Sequence, residues 1–84
     1  MSISDDITKW LSWIAESATT ISGLYAAGRI TESVYNTIKG KIDGIKSKVD
    51  DLEQGEGVID DAELVVEITA EVSEVTEEIA VAAA

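Results

Sequence analysis

Apolar residues recur in alternating steps of four and three along three separate stretches of this 84-residue chain. That spacing lays them on one stripe of an α-helix, the seam of a coiled coil or helical bundle. The first stripe is Ile3, Ile7, Trp10, Ile14, Ile21 and Leu24, interrupted by Ser17. The second is Ile38, Ile42, Ile45, Val49 and Leu52, and the third Val65, Ile68, Val72, Val75 and Ile79. The expected fold is therefore all-α: helices over about residues 5–27, 32–53 and 60–81, forming a helical hairpin plus a third helix as a bundle or coiled-coil oligomer.

The residues between the stripes support those limits. Ser4 is placed to cap the first helix, with Asp5 and Asp6 at the positive end of its dipole, and Gly28 can take the left-handed conformation that ends it. Thr31 is a second N-cap, and Ile30 and Tyr35 stand at the positions of a hydrophobic staple, so Gly28-Arg29-Ile30-Thr31 reads as a hairpin connection. Gly40 and Gly44 weaken the second helix; ordinary surface glycines are a better reading than a close helix contact. After Gln54-Gly55-Glu56-Gly57, Asp60 resembles an N-cap, with Glu63 for a capping box and Ile59 and Leu64 for a staple. The chain thus divides into a hairpin over 1–54, an acidic linker over 55–59 and an amphipathic segment over 60–84.

The third segment carries a competing signal. Leu64, Val66, Ile68, Ala70 and Val72 alternate with polar residues, as in a half-buried strand. Helix is favoured because more than 20 residues lack Gly and Pro, and because a lone strand has no evident partner in the chain.

Charge divides the molecule. Every Lys and Arg lies within the first 48 residues, whereas 12 of the 17 acidic residues lie from Asp50 onward, so the two parts carry formal charges of +1 and −12. With Ile38 at heptad position d, Lys39 and Lys46 fall at e, and Lys41 and Lys48 at g. Glu71 and Glu78 take g positions in the third segment, with Glu67 and Glu74 nearby. Charge pairing between these two sets competes with independent solvated faces.

A domain this small buries a modest share of its surface. Without Cys or His it has neither disulfides nor the commonest zinc ligands, which leaves oligomerisation as the expected reinforcement. Trp10 and Trp13 widen the apolar face of the first helix beyond a two-stranded seam, and burial is favoured over a binding hot spot. The expected interaction seam comprises Trp10, Trp13, Ile14, Ile38, Ile42, Ile45, Val49, Leu52, Val65, Ile68, Val72 and Val75.

No motif identifies a reaction, and no catalytic residue, cofactor or metal is expected. The acidic run from Asp50 to Gly57 invites a calcium reading. Leu52 and Gln54, however, stand where an EF-hand needs oxygen ligands, and a solvated linker is favoured. A net charge of −11 disfavours direct nucleic-acid binding. No apolar run approaches a membrane span, and the start lacks a basic, apolar leader. The expected location is the cytoplasm, a host's included, or a virion.

The stretch from Leu24 to Lys39 resembles the short helical hairpin of SHOCT-type domains and of XkdX-type phage tail-region proteins, through Gly28, Ile30, Thr31, Tyr35 and Lys39. It covers about a fifth of the chain, and Val34 stands where those motifs usually carry an acidic residue. The resemblance implies an interaction or assembly role, with a phage setting. Together these readings lead to a non-enzymatic structural or assembly protein, most concretely a small virion or tail-region component acting as a homo-oligomer or docked on a larger assembly. The competing reading is a soluble acidic inhibitor or DNA mimic, offering Glu67, Glu71, Glu74, Glu77 and Glu78 to a basic protein surface.

Overall fold

The computed structural model describes residues 3–54 and 61–84. They form three helices, α1 (Ile3–Ala26), α2 (Glu32–Gln54) and α3 (Asp61–Ala83), with no strand among the described residues. The strand alternation at Leu64–Val72 does not prevail: the whole segment is helical. α1 starts two residues earlier than expected, which puts Ser4 inside the helix rather than at its cap. The Asp60 cap, its staple through Ile59 and the 55–59 linker lie outside the described residues.

The hairpin turn follows from its residue types. Gly28 has φ +73°, the left-handed region that a residue without Cβ enters freely. The Gly28 amide donates to the Tyr25 carbonyl at 3.0 Å and the Arg29 amide to the Leu24 carbonyl at 2.9 Å, a Schellman closure that satisfies the last carbonyls of α1. On the other side, Thr31 Oγ1 accepts from the Val34 amide at 3.2 Å, so Thr31 caps α2. Ile30 is buried, and Tyr35 packs on the same core. Tyr25 and Tyr35 also stack across the turn, with ring centroids 4.9 Å apart.

α2 lies between the other two helices and packs extensively on both, while α1 and α3 touch far less. The three share one core: Trp10 and Ile21 from α1, the row Ile38, Ile42, Ile45, Val49 and Leu52 from α2, and Leu64, Ile68 and Val75 from α3. Ile45, Val49 and Ile68 are sealed from solvent. Trp13, Ile14, Val65 and Val72 border this core, half-buried, as do Ile7, Leu24 and Ile79. The residues expected to form an interaction seam therefore meet one another inside a single chain. Ser17, the polar break in the first stripe, is buried with them.

Candidate functional site

The α2–α3 junction concentrates the charge of the molecule. Lys41 Nζ donates to Glu78 Oε1 at 2.6 Å and lies 3.6 Å from Glu74 Oε1. One heptad along α2, Lys48 pairs with Glu71, itself one heptad from Glu78. The hydrogen bond that Lys41 donates to Glu78 is the main cause that raises the Lys41 pKa above its ordinary value; burial opposes it, and the charges of Glu78 and Glu74 add to the rise. The Glu71 hydrogen bond does the same for Lys48, with Glu67 adding to the field.

Only two of the four expected lysines join this row. Antiparallel packing brings the g flank of α2 against the g flank of α3, and Lys41, Lys48, Glu71 and Glu78 all occupy that flank. Lys39 and Lys46 lie on the e flank, away from it. Lys39 pairs with Asp43 in its own helix at 3.5 Å, and Lys46 is exposed with no ion pair among the described residues.

Beside the row, at the hairpin end, residues of α2 and α3 line an open groove of about 650 Å³. Val34, Ile38, Val81 and Ala82 line its apolar part, and Glu74, Glu77 and Glu78 form an acidic wall. Val34 is 40% exposed and Val81 72%, so both aliphatic side chains are open to solvent. Glu77 is exposed and has no ion pair among the described residues.

The remaining features are structural. Trp10 is buried, and Trp13 packs beside the core while its indole Nε1 donates to Thr76 Oγ1 at 3.0 Å, tying α1 to α3. Arg29 in the hairpin turn donates to the Ala83 carbonyl at 3.1 Å. That places a cation at the negative end of α3, whose last turn has no basic residue of its own. Neither Arg29 nor the groove was anticipated from sequence; the lack of Lys and Arg near the end of α3 was the available signal for a cation supplied from elsewhere.

Gly40 and Gly44 are exposed, and a Cβ at either would meet nothing within 4 Å, so they are surface glycines. Among the described residues no group of three or more His, Cys, Asp or Glu side chains is arranged to hold a metal ion, and the Gly55–Gly57 part of the calcium reading lies outside them. Among the described residues no helix is long and apolar enough to cross a membrane. The chain matches no family model, no curated protein sequence and no solved structure.

Proposed function

We propose that this protein is a non-enzymatic assembly module, a self-contained acidic helical bundle that docks on a larger protein structure. A small phage virion or tail-region component is the concrete form implied by the resemblance of residues 24–39. The observation that carries the docking reading is the pairing of exposed aliphatic and acidic side chains in one groove, at Val34, Val81, Glu74 and Glu77. The buried rows of the three seams pack on one another in the internal core, which favours the groove over the seams as the docking surface.

The acidic-mimic reading has less support. Of its five carboxylates, Glu71, Glu74 and Glu78 lie within 4.0 Å of Lys41 or Lys48, and Glu67 adds to the field at Lys48. A surface that imitates phosphates needs its negative charge free for the partner.

The test compares the purified chain with native particles from its source. The free chain is expected to sediment as a small folded species, and antibody against it to find the chain in purified particles at a fixed copy number. A chain that stays in the soluble fraction and is missing from every particle overturns the assembly reading.

A further inference from the structure

We propose that the groove between the first half of α2 and the last half of α3 receives a basic amphipathic helix of a partner protein, an inference that rests on the docking function above and names its site. The groove is long in the direction of the helices, because Val34 and Ile38 contribute from successive turns of α2 and Glu74, Glu78 and Val81 from successive turns of α3. A trough between two antiparallel helices suits a third helix laid along it, with side chains at i, i+3 or i+4, and i+7 as anchors. The exposed Val34 and Val81 mark where an aliphatic anchor would lose the most water.

Charge selects the occupant. Three carboxylates face this groove, and only one ammonium, Lys41, stands against them; Glu78 and Glu74 share it, and Glu77 has none. Oε2 of Glu78 is buried and accepts no hydrogen bond among the described residues. The wall therefore has a surplus of acceptors for Lys or Arg side chains flanking an apolar stripe. A second copy of this chain is a poor fit. Its net charge is −11, Lys41 and Lys48 are already engaged and Lys39 is tied to Asp43, so that among the described residues Lys46 is the one α2 lysine left to meet a wall of three carboxylates.

The test uses the full chain as bait for a displayed library of helical peptides about four turns long, with randomised charge and apolar spacing. Enriched peptides should carry aliphatic residues at i, i+3 or i+4, and i+7 with Lys or Arg on the flanks. The double variant Val34→Ser and Val81→Ser should weaken them at least tenfold while keeping the wild-type melting curve, since both side chains are exposed. Glu74→Gln with Glu77→Gln should weaken them and reduce the dependence on salt. Val66→Ser, on an exposed face outside the groove, should change nothing. No enrichment, enrichment without the apolar spacing, or binding that survives the double valine variant overturns the groove.

Particle binding separates this inference from the function beneath it. Wild-type chain that joins particles while the double valine variant does not supports the groove. Particles that take up both chains equally overturn the groove and leave the assembly reading intact. Failure of the wild-type chain to join any particle overturns the assembly reading, and the library result then decides the groove alone.

Discussion

Ile45 and Val66 carry similar aliphatic side chains in opposite surroundings: Ile45 is fully buried at the centre of α2, whereas Val66 is 68% exposed on α3. Truncating Ile45 to Ala removes buried methyl and methylene groups and leaves a cavity among the facing helices, a loss of about 2–5 kcal/mol. A small domain has few such units of stability to lose, so the variant should be largely unfolded in mild denaturant. Val66→Ala leaves no cavity and should stay within about 0.5 kcal/mol of wild type. Urea titration followed by the fluorescence of Trp10 and Trp13 measures both; equal midpoints for the two variants would remove Ile45 from the core. At this scale much was legible. Ile38, Ile42, Ile45, Val49 and Leu52 stood out because a heptad stripe is a property of local spacing. Leu64 did not, because its burial depends on where α3 leans against α2.

The helices are limited and weakened by glycine in ways that substitution can separate. Gly28 sits at φ +73° with open space around its missing Cβ, so a side chain there is opposed by backbone conformation and not by neighbours. Gly28→Val should cost at least about 1–2 kcal/mol and blur the end of α1. Gly40 and Gly44 lie inside α2 with equally open surroundings and ordinary helical φ. Each change to Ala there should add about 0.8–1.0 kcal/mol by lowering the entropy lost on folding. Thermal melts of the three variants test the sign of each effect; a stabilised Gly28→Val would contradict the Schellman closure. These positions were readable from sequence because capping is a short-range affair, decided by which residue tolerates a left-handed turn and which hydroxyl can reach an amide three residues on. The start of α1 was misplaced for the same reason, since Ser4 and the residues before it are all acceptable near a helix end.

Across the whole molecule, the Lys41–Glu78 and Lys48–Glu71 pairs join α2 to α3 beside the shared core. Both lysines have pKa values raised above the ordinary 10.5 in the folded protein. A raised lysine pKa means that folding favours the protonated form, so this contribution is complete below pH 10.5 and is lost as pH climbs through the folded values. Stability should accordingly fall above about pH 10.5. A Lys41→Met, Lys48→Met variant should show a shallower fall over the same range, as it lacks the two groups whose deprotonation is penalised. Denaturant midpoints collected from neutral to strongly alkaline pH make the comparison, and identical slopes for the two proteins would deny the pairs a part in stability.

From sequence alone came the class, the number of helices, the turn between α1 and α2 and most of the buried row, because each depends on residues within a few positions of one another. A heptad stripe, however, states that a helix needs a partner without saying whose. The tertiary structure decided that the three stripes satisfy each other within one chain, with α2 in the middle. It also decided which charges meet: antiparallel packing turned Lys41 and Lys48 toward α3 and left Lys39 and Lys46 on the other flank. The groove belongs wholly to this level. Val34 and Val81 are 47 positions apart in the chain, and no local pattern joins them; only the way α3 crosses α2 near the hairpin places their methyl groups beside the same acidic wall.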